Sequence, residues 1–144
     1  MRIRKAHPTD LPYLLEHAKE FIKFYNNKNI KYNEAHLLHL GHTLIEKHVL
    51  VVAETEDGKI AGMLGAMYVP NPIDPSCISL TELFWWVGEE YRRTRAGWLL
   101  LSFLEAVGEK YEVPVVISVL PQTGDVTPLL ERHGFVKVEE SYVR

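Results

Sequence analysis

Three arginines crowd into four residues at Arg92, Arg93 and Arg95, and Ala96-Gly97 follows them. A helix opening at these small residues has first-turn N–H groups without internal partners, and its dipole favours an anion there. Cationic side chains, bare amides and little bulk to block approach together fit a pyrophosphate. The same residues also fit a solvated helix start paired with Glu89 and Glu90, and the local pattern leaves both readings open. Ten residues before Arg92, Glu82 is the only acid in the apolar run Ile78 to Val87. Burial among such neighbours raises a carboxyl's pKa toward the range useful to a general base. A half-exposed strand glutamate paired with a cation is the plainer alternative.

Other reactive side chains carry less. His36, His39 and His42 stand at i, i+3 and i+6, with His48 nearby. On a helix they form a stripe about 120° wide. No cysteine or clear carboxylate completes a metal set, so surface or the rim of a substrate cleft suits them better. Cys77 follows a proline-rich loop without a histidine partner motif, which argues against a nucleophile. Trp85 and Trp86 are adjacent, so on a strand their rings point to opposite faces. No Walker A or dinucleotide motif occurs, so the arginine loop does not default to NTP or NAD.

These residues need elements to hold them. Leu11, Leu14, Leu15, Ala18, Phe21, Ile22 and Tyr25 mark an amphipathic helix, which Asn26 to Asn29 breaks. A second helix is expected over about 33–47. Val49 to Glu54 reads as a strand, Asp57-Gly58 as a hairpin turn, and Ile60 to about Val69 as the partner strand. Ile78 to Val87 is a strand, 96–111 a helix, and Val115 to Val119 a central strand covered on both faces. A last helix of about 125–133 stops at His133-Gly134, where glycine is the expected left-handed cap. Phe135 to Val143 supplies one or two final strands. Arg2 to Ala6 makes a first strand. The order is that of an α/β chain: a mixed central sheet with flanking helices and a βαβ unit in its second half.

The chain has 144 residues, 47% hydrophobic and 24% charged, with a net charge of −3. That size fits one domain over residues 1–144 with one core. No global positive field draws in nucleic acid. One cysteine, no apolar leader after Met1-Arg2-Ile3-Arg4-Lys5 and no long apolar run point to a cytoplasmic protein without a membrane span.

Arg92-Arg93-Thr94-Arg95-Ala96-Gly97 resembles the loop Arg/Gln-x-x-Gly-x-Gly/Ala of the GNAT acetyltransferases. Arg2 to Ala6 with Thr9 to Pro12 is similar to the family's first strand and helix start. Glu131-Arg132-His133-Gly134-Phe135 is similar to its last helix-to-strand turn. The likeness spans essentially the whole chain. It implies acetyl-CoA as donor and direct transfer to a primary amine of a small-molecule or peptide acceptor, with a homodimer common among relatives.

It further implies a diphosphate on Arg92, Arg93, Thr94, Arg95, Ala96, Gly97 and Trp98, and a thioester beside Trp85, Trp86 and Val87. A backbone N–H near those three would stabilise the oxyanion. Glu82 would be the base, since relatives often place a glutamate on that strand. The chain departs from the family at three positions. Arg95 replaces the middle glycine, which puts a backbone shape that glycine adopts freely in question. Leu130 replaces the tyrosine that protonates the thiolate, so Tyr142, Tyr111 or a water would have to serve. Thr123 stands roughly where relatives have an asparagine. A non-catalytic module binding CoA or a protein partner is the first alternative. The second is another α/β anion binder, which an unsplayed pair of fourth and fifth strands would favour.

Overall fold

The computed structural model describes residues 1–25, 27–120 and 124–144. Five strands form one sheet in the order β1-β2-β3-β4-β5. They are β1 (Arg2–Lys5), β2 (Val49–Glu54), β3 (Ile60–Pro70), β4 (Ile78–Val87) and β5 (Val115–Val116). The first four run antiparallel, and β5 lies parallel to β4. Helices α1 (Leu11–Phe21), α2 (Glu34–Lys47), α3 (Ala96–Tyr111) and α4 (Thr127–Arg132) accompany the sheet. A mixed sheet flanked by helices, with β4-α3-β5 as its βαβ unit, is the expected architecture.

The sheet is covered on both faces, which explains why β2 is apolar without a break. Val49, Val51 and Ala53 pack with Leu100 and Leu104 of α3. Leu50 and Val52 face the other way, onto Leu11 and Leu14 of α1 and Leu44 of α2. Asn33 caps α2 by accepting from the His36 amide (3.0 Å), and Gly58 turns the β2–β3 hairpin at φ +82°. At the β1 end, Arg4 holds Asp10 through two hydrogen bonds (2.8 and 3.1 Å) and Glu54 through a third (2.6 Å). That cluster ties β1, β2 and the start of α1 together.

Three sequence expectations are corrected. α1 stops at Phe21, and Ile22–Phe24 tightens into a 3₁₀ turn instead of extending the helix to Tyr25. β5 pairs at two residues only, not over Val115 to Val119. The expected final strands of Phe135 to Val143 do not form among the described residues. Val136 and Val138 alternate with polar residues as a strand would, yet they are 80% and 83% exposed. Alternation makes a strand only where an edge accepts it, and a two-residue β5 offers little edge. The helix before this segment ends at Gly134 (φ +82°) as expected. Asn26, part of the expected helix break, lies outside the described residues.

Candidate active site

β4 is the element on which the site is built. Its ladder with β3 runs Gly62↔Val87 through Gly65↔Phe84, then resumes at Ala66↔Glu82, so Leu83 is an extra residue in β4. Such a bulge re-aims the side chains on either side of it. On its other edge β4 meets β5 only at Leu80↔Val115 and Thr81↔Val116. β5 ends with that pairing, and among the described residues the last six residues of β4 have no ladder on that side.

Glu82 is the first residue of β4 beyond that ladder. Its side chain is only 7% exposed, and its Oε2 accepts from the Ser118 amide (3.1 Å). Burial pushes the carboxyl up to about 7, against a smaller lowering by the Ser118 hydrogen bond. A carboxyl poised near neutrality can exchange a proton with a reacting group at working pH. Gly88 N donates to Ala61 O (2.9 Å) at the end of the β3 ladder. Amides alternate in direction along a strand, so those of Trp85 and Val87 turn away from β3.

The two tryptophans divide as expected. Trp85 packs with Val87 on the α3 face, and Trp86 packs in edge-on and tilted contacts with Phe21, Phe24 and His17 on the α1 face. Arg92 reaches the Trp86 side: its guanidinium lies 5.0 Å from that ring and its Nε donates to Val87 O (3.2 Å). Arg95 stacks over Trp98 at 5.2 Å. Thr94 donates to Tyr91 O (2.6 Å) and accepts from Ala96 N (3.3 Å). Arg93 is exposed, Ala96 points into the core, and Gly97 sits against Trp85 and Val87. Among the described residues no ion pair involves Arg92, Arg93 or Arg95, so the pairing with Glu89 and Glu90 is not formed.

Arg95 raises no backbone difficulty. It adopts φ −78° and ψ −1°, an ordinary right-handed conformation, and no side chain caps the start of α3 that follows it. The loop shape here does not need the glycine that Arg95 replaces.

Tyr142 is not brought to β4. It lies 87% exposed on the irregular C-terminal segment and donates to Glu140 (2.7 Å). Its expected position depended on a final strand that does not form. Tyr111 is exposed at the end of α3, with its ring edge-on to Tyr68. Leu130 lies within α4 as expected, while Thr123 falls outside the described residues. His36, His39 and His42 are exposed on α2, and no group of metal-ligating side chains occurs among the described residues.

Several side-chain contacts were not read from the sequence. His48 Nδ1 accepts from the Tyr68 amide (3.2 Å). His133 lies 2.9 Å from both Glu105 oxygens, with Trp98 edge-on at 6.3 Å. Tyr13, His17 and Phe21 repeat every four residues; Tyr13 lies against His17, and His17 and Phe21 each lie against Trp86. That i, i+4, i+8 aromatic spacing was the signal available in the sequence.

A mixed sheet with a two-residue β4–β5 ladder and a helix start behind an arginine loop is the architecture of acyl-CoA N-acyltransferases, as the comparisons with known proteins bear out. The family model for the acetyltransferase (GNAT) family matches residues 12–135, and the chain belongs to that family. It is similar in fold to a predicted acetyltransferase of Clostridium acetobutylicum solved with acetyl-CoA (TM-score 0.75, 14% identity, 99% of this chain and 94% of that one). It is also similar to glucosamine-6-phosphate N-acetyltransferase of Arabidopsis thaliana (TM-score 0.75, 15% identity, 99% and 96%). A third likeness is to an acetyltransferase of Trypanosoma brucei (TM-score 0.71, 18% identity, 99% and 96%). At these identities the likeness speaks for the fold. No curated protein matches the chain by sequence. Among the described residues no helix is long and apolar enough to cross a membrane.

Proposed function

We propose that residues 1–144 form a single-domain N-acetyltransferase using acetyl-CoA and a primary amine. The observation that carries this reading is Glu82, buried and raised to about 7 where the β4–β5 ladder ends. Bound acetyl-CoA would supply an activated acetyl thioester to this stretch of β4. The residues present fit it: six residues of β4 lie beyond its ladder with β5, and arginines without an ion pair among the described residues follow before α3.

In this reading Arg92, Arg93, Thr94, Arg95 and the amides of Ala96, Gly97 and Trp98 hold the diphosphate. The Trp85 and Val87 amides face the thioester carbonyl, where fixed donors stabilise developing negative charge. Trp85 and Trp86 wall that stretch on its two faces. Glu82 takes the proton that the attacking ammonium must lose. Tyr142 has no place in this scheme, and thiolate protonation falls to solvent or a group not yet assigned. The exposed, unpaired Cys77 suits a reducing cytoplasmic setting.

Thiol release from acetyl-CoA, followed across a panel of primary amines, tests the proposal. Amine-dependent release is the expected result. No release with any amine, while acetyl-CoA still binds, would instead make the chain a non-catalytic CoA-binding module.

A further inference from the structure

Trp98 occupies a position that core packing does not call for. Ala96, Leu100 and Leu104 turn α3 onto the sheet. Trp98 stands two residues from both Ala96 and Leu100, which is more than half a turn, so it points away from the sheet. Its ring is left 40% exposed, yet it is held on two sides. The Arg95 guanidinium lies over the ring at 5.2 Å, and the His133 ring meets it edge-on at 6.3 Å. His133 is itself fixed from α3, with its Nδ1 2.9 Å from both carboxylate oxygens of Glu105. Arg95 forms no ion pair among the described residues.

A flat ring paired with a flat cation, both reaching water, is a surface on which a nucleobase stacks. Holding the ring in place beforehand lowers the ordering cost of such binding. Position says which base it would be. Trp98 follows Gly97 in the first turn of α3, and that turn seats the diphosphate in the acetyltransferase reading. In acetyl-CoA a single ribose separates the diphosphate from adenine. The adenine must therefore settle close to this turn, and Trp98 is the turn's aromatic side chain.

We propose that the adenine of the acetyl donor stacks on the Trp98 and Arg95 pair. The contact makes the chain select donors that carry the nucleotide over pantetheine thioesters that lack it. This inference rests on the acetyltransferase reading for the identity of its ligand, and on the Trp98 surroundings for the place of the base.

Two measurements keep those dependencies apart. The first titrates acetyl-CoA and S-acetylphosphopantetheine, which has no base, into the wild type and Trp98→Ala. Trp98→Ala is expected to raise Kd for acetyl-CoA about tenfold, the scale of one base stacked on one aromatic ring. Its Kd for S-acetylphosphopantetheine is expected to stay at the wild-type value. An unchanged Kd for acetyl-CoA overturns the inference and leaves the acetyltransferase reading intact. Equal weakening of both ligands also overturns it, since Trp98 would then only support the start of α3. The second measurement follows tryptophan emission at saturating acetyl-CoA in the wild type and in Trp98→Phe, which keeps a ring for stacking. A stacked base quenches the indole, so the wild type is expected to lose a share of emission that Trp98→Phe does not. Equal loss in the two proteins overturns the inference. Should Trp98→Ala fail to fold, this comparison decides. Failure of acetyl-CoA to bind the wild type would remove the acetyltransferase reading and this inference together.

Discussion

At Glu82 two demands oppose each other. Folding removes the carboxyl from water, which disfavours its charge, and a base must be charged to act. The sign of the consequence is fixed. A folded-state pKa of about 7 against 4.5 unfolded means that the folded chain binds more protons between those values. Stability therefore falls as pH rises from about 4.5 to 7, by about 3 kcal/mol in all, and is level above that. Activity runs the other way, rising through pH 7 as the carboxylate appears. Glu82→Gln is expected to remove both effects. Its melting temperature should overtake that of the wild type between pH 5 and 8, and its kcat/KM should lose the inflection near pH 7 along with most of its magnitude. Both proteins are assayed with the same amine, so that the amine's own titration cancels. Wild-type turnover in Glu82→Gln would remove Glu82 as base. Glu82 was legible in the sequence because it is the only acid in an apolar strand. Its hydrogen bond to Ser118 was not, since 36 residues and a whole helix separate the two. Tyr142 misled because a tyrosine near a chain end carries no sign of whether its strand finds an edge.

The elements hold the site through a few contacts that permit little change. Asp10 is buried at the start of α1, where it accepts two bonds from Arg4 and one from the His7 amide (2.7 Å). Burial alone would raise its pKa, but Arg4 and His7 outweigh burial and lower it. Its stabilisation is thus present at neutral pH and lost as pH falls through the depressed pKa. Asp10→Asn is expected to cost about 3 kcal/mol at pH 7, because it leaves Arg4 with Glu54 as its only carboxylate. Urea unfolding of the two proteins measures this, and a difference below about 1 kcal/mol would show that Glu54 suffices. Elements with their own punctuation were read correctly. The Asp-Gly hairpin, the β4 run and the glycine stop after α4 each carry local signals. The length of β5 and the fate of Phe135 to Val143 were not legible, since both depend on whether neighbouring backbone is there to pair. The bulge at Leu83 was equally hidden, because Glu82, Leu83 and Phe84 look the same in sequence with or without it.

For the whole molecule, the acetyltransferase reading has a thermodynamic consequence that needs no acceptor. A ligand that binds the folded chain alone at about 100 times its Kd adds roughly 2.7 kcal/mol of stability. Spread over the unfolding entropy of a chain of 144 residues, that is a rise in melting temperature of about 9 °C. Acetyl-CoA and CoA are expected to produce it, and ATP and NAD are not. Arg92→Ala with Arg95→Ala is expected to abolish most of the rise. The melting temperature without ligand should change little, because both side chains are exposed and form no ion pair among the described residues, and such charges contribute little to stability. Arg92 is the stricter probe of the two. Its stacking on Trp86 and its bond to Val87 O place it where β4 ends. A full rise in the double variant would mean that the diphosphate is held without Arg92 and Arg95. No rise in the wild type would mean that the chain kept the fold and does not bind acetyl-CoA.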